Sequence, residues 1–216
     1  MEVKPSKKNT TVYKVVLCSA TVILLFIVWM VFIAKNTQPD ECIFNFLSYY
    51  STASRTNAMK VITFFGNHSF LIPGNLLVIT FFLLQKNKHD ALRVLIVALT
   101  SLGVMSLLKS LFHRPRPINP LVDGITNFSF PSGHAFMSLA FFGLLIYFIS
   151  LRKKAIWWKL LLICVLLFII FLIGLSRVYL RVHYTSDVLA GWIFGSLWLV
   201  LCLAILDKLF NKRFPT

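Results

Sequence analysis

Six runs of about twenty apolar residues divide this chain, and that length is what a helix needs to cross a bilayer. They lie at about 13–34, 61–84, 94–112, 133–151, 155–175 and 185–206. Six spans within 216 residues leave no room for a separate soluble domain. The expected fold class is therefore an all-α integral membrane protein, a bundle of six transmembrane helices. It forms one domain over 1–216, with its motif-bearing core at 94–206. Charged residues are 13% of the chain, about half the share of a soluble domain.

The formal charge of +15 raises the question of nucleic acid, but its distribution answers for a membrane instead. No basic stripe with interleaved aromatics and no long soluble arm is present, so nucleic acid is not an expected partner. Lys4, Lys7, Lys8 and Lys14 precede the first span, and Lys86, Lys88 and Arg93 lie between the second and third. Arg152, Lys153, Lys154 and Lys159 lie between the fourth and fifth, and Lys208, Lys212 and Arg213 follow the sixth. These fourteen of the 22 cations share one face, which the positive-inside rule makes cytoplasmic. Both termini are then inside. Eight cations remain outside, and Lys109, Arg116 and Arg177 are three of them.

The basic N-terminal segment and first apolar run are not read as a cleaved signal, because the run is long and lacks an A-x-A-like site. Cys18, Cys164 and Cys202 fall within spans and Cys42 stands alone in a loop, so neither a disulfide framework nor a metal site is expected. The segment 40–60 is the longest outer loop, with Ile43, Phe44, Phe46, Leu47 and Tyr50 at helical spacing. Two readings stand level: an amphipathic helix in the interface, or a packed connection. Gly66-Asn67-His68 and Pro73-Gly74 should bend or loosen the second span. His68 could approach a site there, although a structural hydrogen bond is the commoner role. The proline-rich stretch 113–130 is long for a connection, which marks it as functional. The five tryptophans are read as bilayer anchors or packing residues.

Three separated stretches carry polar groups that a bilayer edge does not otherwise tolerate. They are Lys109-x6-Arg116-Pro117, Pro131-Ser132-Gly133-His134, and Ser176-Arg177-x5-His183-x3-Asp187. With the N-terminus inside, the third span ends outward at Lys109 and the fourth begins there at Pro131. The fifth ends there at Arg177, and the sixth begins there after His183. All three stretches thus meet one outer boundary.

The chemistry suited to this set is phosphoryl transfer, which depends on neutralising three equatorial oxygens. Lys109, Arg116 and Arg177 supply charge, and the arginine forks add direction. Ser132 and Gly133 open a helix whose free N–H groups can face an anion, with close approach at the glycine. His183 and Asp187 are one turn apart on one face. A carboxylate behind an imidazole fixes its tautomer, which makes His183 the expected nucleophile and His134 the expected acid and base. A metal would need more ligands than this face offers, since Asp123 is the only other outer acid near the motifs and reads as a turn residue.

At these residues the chain resembles the type 2 phosphatidic acid phosphatase superfamily, which also includes vanadium haloperoxidases and glucose-6-phosphatase. The family pattern K-x6-R-P, P-S-G-H, S-R-x5-H-x3-D is met at every defining position between 109 and 187. The resemblance implies phosphate binding by Lys109, Arg116, Ser132, Gly133 and Arg177, acid–base work by His134, and a His183 nucleophile supported by Asp187. It also implies metal-independent catalysis with no cofactor, and no obligate protein partner is evident. Small size and short loops resemble the bacterial lipid phosphatases of the family. The implied setting is multi-pass in the inner (cytoplasmic) membrane, with the active site facing the periplasm or cell exterior. The expected reaction is hydrolysis of a lipid phosphomonoester or diphosphate: undecaprenyl diphosphate, phosphatidylglycerophosphate, phosphatidic acid or a lipid A phosphate. A lipid phosphotransferase using the same phosphohistidine, and a non-enzymatic lipid-phosphate carrier, are the other readings.

Overall fold

The computed structural model describes residues 7–122, 124, 127–152 and 155–213; of 7–14 and 211–213 only the backbone is described. Lys4, Asp123, Lys153 and Lys154 lie outside the described residues, as do the side chains of Lys7, Lys8, Lys14, Lys212 and Arg213.

Among the described residues all regular secondary structure is helical. The elements are α1 (Lys7–Val28), extended by a π-turn over Trp29–Ile33, then α2 (Gln38–Tyr49), α3 (Ala53–Phe64) and α4 (His68–Leu84). They continue with α5 (Lys88–Phe112), α6 (Gly133–Ser150), α7 (Ile156–Tyr179) and α8 (Thr185–Arg213). Six segments are long and apolar enough to span a membrane: Val15–Ile33, Ala53–Leu84, Lys88–Phe112, Gly133–Ser150, Ile156–Tyr179 and Thr185–Phe210. The six-span bundle inferred from hydropathy is therefore present.

The second span differs from its expected bounds. It begins at Ala53 instead of 61, because α3 is stacked on α4 across a break at Phe65–Asn67. The Thr52 hydroxyl caps α3 and the Asn67 side chain caps α4, so two well-capped starts replace one continuous helix. Gly66 sits in the break because nothing larger fits. A Cβ there would come within 2.6 Å of Ile173 Cγ2 and 3.1 Å of His134 Cδ2. Pro73, by contrast, lies inside α4, which continues through it. The segment 40–60 holds most of α2 and the start of α3; its first half is helical, and α2 packs on α7 and α8.

The centre of the bundle is α6. Nine of its 18 residues are buried, against seven of the 24 in α7. It packs on α8 and α7 most heavily, and on α5 and α4 as well. It approaches α8 closely at Gly191, where a Cβ would meet the carbonyl oxygen of Ser132, the residue that caps α6, at 2.7 Å. That closeness brings the start of α6 and the start of α8 together. Burial among apolar side chains gives little drive between helices in lipid, so such packing and polar ties hold the bundle. At the far end, Arg93 of α5 pairs with Asp90 at 2.5 Å and Asp207 of α8 at 2.6 Å, and the Tyr147 hydroxyl of α6 reaches Asp207 at 3.2 Å.

At the motif end, the loop 113–130 is pinned by an aromatic cluster. Phe130, fully buried, meets Phe32 of the π-turn and Phe112 at the end of α5, with centroids 5.2 and 4.8 Å apart. A π-turn shifts the register of a helix locally, and here it includes the aromatic that holds the loop. The loop therefore arrives at Ser129 and Pro131 in a fixed position.

Candidate active site

The ends of α5 and α7, the start of α6, the turn before α8, the loop after α5 and the α3–α4 break surround one cavity of about 470 Å³. Its wall includes Lys109, Arg116, Gly133, His134, Arg177 and His183, drawn from all three motifs. His68, Asn67 and Thr63 form part of the wall too, so the break in the second span brings His68 to the site.

The Lys109 ammonium donates to the Phe128 carbonyl at 2.6 Å and to Asn127 Oδ1 at 3.3 Å. Arg116 donates from Nε to the Asn127 carbonyl at 2.7 Å and from Nη1 to the Val182 carbonyl at 2.5 Å; Nη2 also meets Asn127 Oδ1. Burial lowers the Arg116 guanidinium from its ordinary pKa, with Asp187 opposing the shift. Arg177 is 4% exposed, donates from Nη1 to Thr63 Oγ1 at 2.7 Å, and leaves a buried Nε without a partner. Three cations on one small cavity repel each other, and an oxyanion relieves that repulsion.

The tautomer of His183 follows from its neighbours. Arg116 Nη1 is 3.2 Å from Nε2, and a guanidinium can only donate, so Nε2 accepts and the proton sits on Nδ1. On that side Ser129 Oγ is 3.4 Å away and Asp187 Oδ2 is 3.6 Å, beyond direct hydrogen-bond range. Ser129 donates to the same Asp187 oxygen at 2.5 Å, so its hydroxyl bridges the histidine and the carboxylate. Burial, with Arg116 and Arg177 adding to it and Asp187 opposing, holds the His183 imidazole down at about 4. At neutral pH the ring is uncharged, with a lone pair on the nitrogen beside Arg116.

Asp187 is fully buried and held from several sides. It accepts from Arg114 Nη1 at 2.5 Å, from Ser129, and from the Tyr184 N–H at 2.9 Å. Arg114 in turn donates to Asp40 Oδ2 at 2.9 Å and to Ser186 Oγ at 2.8 Å, and lies 4.1 Å over the Tyr184 ring. Asp40, in the first turn of α2 and 2% exposed, also accepts the Ser186 N–H at 2.8 Å and its hydroxyl at 2.6 Å. The expectation that Asp123 is the only other acid near the motifs is thus corrected. Asp40 arrives from α2, because its ion pair with Arg114 outweighs its distance in sequence.

Ser132 occupies a different place from its motif neighbours. Its N–H bonds the Asp187 carbonyl at 2.9 Å, and its hydroxyl is buried without a hydrogen-bond partner among the described residues. The first bond of the α6 ladder is Phe136 N–H to the Ser132 carbonyl, which leaves the N–H groups of Gly133, His134 and Ala135 outside that ladder. Gly133 and His134 border the cavity, so the free N–H groups of this helix start suit an anion there. Sequence reasoning missed Arg114, Asp40 and Ser129. Arg114 was visible as an outer cation two positions before Arg116; nothing local marked the other two.

Residues 90–211 match the profile of the family described as the PAP2 superfamily. The chain is 33% identical over 164 residues to phosphatidylglycerophosphatase B of Bacillus subtilis, covering 72% of this chain and 76% of that protein. It is 27% identical over 188 residues to an undecaprenyl-diphosphatase of Sulfolobus acidocaldarius, covering 81% and 84%. The transmembrane PAP2-type phosphatidylglycerolphosphate phosphatase of Bacillus subtilis, a solved structure, superposes with a TM-score of 0.81 at 27% identity. The match covers 89% of this chain and 96% of that one. LpxE of Aquifex aeolicus, with a TM-score of 0.60 at 20% identity over 75% and 93%, shares the fold. The matched profile covers more than half of the sequence and contains all three motifs, and the chain belongs to the PAP2 superfamily.

Proposed function

We propose that this protein hydrolyses the phosphate ester or diphosphate of a membrane lipid through a phosphohistidine at His183. The observation that carries the reading is the imidazole itself: neutral, with its proton directed to Ser129 and Asp187 and its bare Nε2 beside Arg116 at the cavity. Lys109, Arg116, Arg177 and the α6 start bind the phosphoryl oxygens. His183 Nε2 forms the N–P bond as the ester P–O bond breaks, and His134 gives its proton to the departing oxygen. Water then attacks phosphorus, His134 takes the water proton, and phosphate leaves His183. Asp187 stabilises the imidazolium that forms on attack.

The relatives named for phosphatidylglycerophosphate and for undecaprenyl diphosphate both handle lipids with a phosphate at the headgroup, which supports that substrate class. The cavity lies at the end of the bundle opposite Arg93, Arg152 and Lys159, and the positive-inside rule then makes it outward-facing. A site walled by three cations suits an oxyanion and repels a divalent ion, so the reaction proceeds without metal.

The test is phosphate release by the purified protein from a panel of lipid phosphates, in EDTA, with and without an acceptor lipid. Hydrolysis gives inorganic phosphate in EDTA and inhibition by vanadate, which mimics five-coordinate phosphorus. A requirement for magnesium would overturn the mechanism. A phosphorylated acceptor would make the protein a transferase, and binding without turnover would make it a carrier.

A further inference from the structure

The opposite end of the bundle carries a second opening that the chemistry above does not use. A cavity of about 620 Å³ lies where α4 ends and α7 begins, with Arg152, Lys159, Trp158 and Gln85 at its mouth. A second cavity of about 320 Å³ continues from it, and the two share Phe81, Phe82, Ile149, Arg152 and Leu162. The second is apolar apart from Arg152, bounded by Leu77 and Val78 of α4 and Val165 and Leu166 of α7. Both helices pack on α6, and the groove runs between them over Phe148 and Ile149.

Charge and length say what fits. Among the described residues neither cavity has an acidic residue in its wall, and Asp90 and Asp207 at this end are held by Arg93 at 2.5 and 2.6 Å. Lys159 spends one N–H on the Ser150 carbonyl at 3.1 Å, and among the described residues neither it nor Arg152 makes an ion pair. Trp158 stacks on Trp157 at 4.1 Å, at the level where aromatic rings mark a membrane interface. From Gln85 to Leu77 the groove extends along α4 for about 12 Å, most of the roughly 15 Å from a leaflet surface to the bilayer midplane. On α6 the two sites come nearest at Met137 and Leu145, about 12 Å apart along its axis.

We infer that this groove is a binding site for one anionic phospholipid of the leaflet opposite the catalytic cavity, its headgroup held by Arg152 and Lys159 and an acyl chain seated between α4 and α7. Basic pockets between membrane helices hold anionic headgroups in this way. The full-length protein is purified and offered equal amounts of phosphatidylglycerol and phosphatidylcholine, with vanadate filling the catalytic cavity. Retained lipid is counted by native mass spectrometry. Two cations, each worth about fivefold, predict on the order of a thirtyfold preference for phosphatidylglycerol. Arg152→Ala with Lys159→Ala should abolish that preference while leaving turnover of p-nitrophenyl phosphate unchanged. If that double variant does not purify folded, Leu162→Trp reads the same groove by filling it, and should lose the retained lipid. Equal retention of both lipids by the wild type would make this annular lipid only and overturn the inference. So would a preference that survives the double variant, or lipid retained unchanged in Leu162→Trp.

Discussion

Replacing Asp40 with asparagine asks whether the group behind the nucleophile depends on a residue outside every motif. Asp40 Oδ1 accepts from the Ser186 N–H at 2.8 Å, and Oδ2 accepts from Arg114 at 2.9 Å and from the Ser186 hydroxyl at 2.6 Å. Whichever way an asparagine amide is turned, its NH₂ faces a donor. Hydrogen bonds to charged groups contribute about 1.5–3 kcal/mol each. Stripping a buried ion of its only partner costs about 3–5 kcal/mol. Arg114 retains Asp187, at 2.5 Å, so the loss should fall below that limit, at about 2–3 kcal/mol. For a chain of this size that lowers the thermal midpoint by about 4–12 °C.

The freed Arg114 guanidinium then shifts against Asp187, and a displacement on the order of 1 Å can cost 10²-fold in rate. We expect kcat on p-nitrophenyl phosphate to fall by about ten- to a hundredfold. KM should move less than about twofold, because Lys109, Arg116 and Arg177 are untouched. Asp40 and Asp187 both bond Arg114, so Asp40→Asn combined with Asp187→Asn should be no slower than Asp187→Asn alone. Wild-type kcat and midpoint in Asp40→Asn, or losses that multiply in the double variant, would refute this reasoning.

Arg116→Lys and Arg177→Lys keep a charge but lose the fork that meets Asn127, Val182 and Thr63, so each should cut kcat/KM by at least about 10²-fold; near-normal turnover in both would make them anchors only. His183 takes up a proton near 6.5 when unfolded but only near 4 when folded, so its contribution is full above 6.5 and is lost as pH falls toward 4. That difference is worth about 3 kcal/mol, and the thermal midpoint should drop across this window in the wild type and less in His183→Gln; equal drops would contradict it. His134→Ala should slow phosphoenzyme formation on the order of 10²–10⁴ with a lipid phosphate and far less with p-nitrophenyl phosphate, whose leaving group needs no proton; equal losses would assign the acid wrongly.

How much of this was legible in the sequence depends on the range of each interaction. Hydropathy and charge gave the spans because lipid imposes one length on every crossing helix. Three motifs located the cavity because helix ends that share a boundary are close in space. The α3–α4 break was half-visible: Gly66-Asn67-His68 marked it, but its cause is the approach of Ile173 and His134, which no local pattern records. Asp40 was beyond reach for the same reason. It stands in the first turn of α2 like any N-terminal acid, and only the folded chain shows it carrying Arg114. Ser132 shows a detail that its motif does not carry: the close α6–α8 approach at Gly191 leaves its N–H bonded to the Asp187 carbonyl, while its buried hydroxyl makes no hydrogen bond among the described residues.

The central claim is that phosphorus passes through His183 Nε2, and a rapid quench measures it directly. The full-length protein is mixed with a ³²P-labelled lipid phosphate and quenched in alkali, in which a phosphohistidine survives. Labelled peptides are then mapped. The account predicts label on the peptide bearing His183, enriched when vanadate is absent and when Asp187 and His134 are intact, and no label in His183→Ala with any substrate. Label on another residue, or labelled protein from His183→Ala, would contradict it.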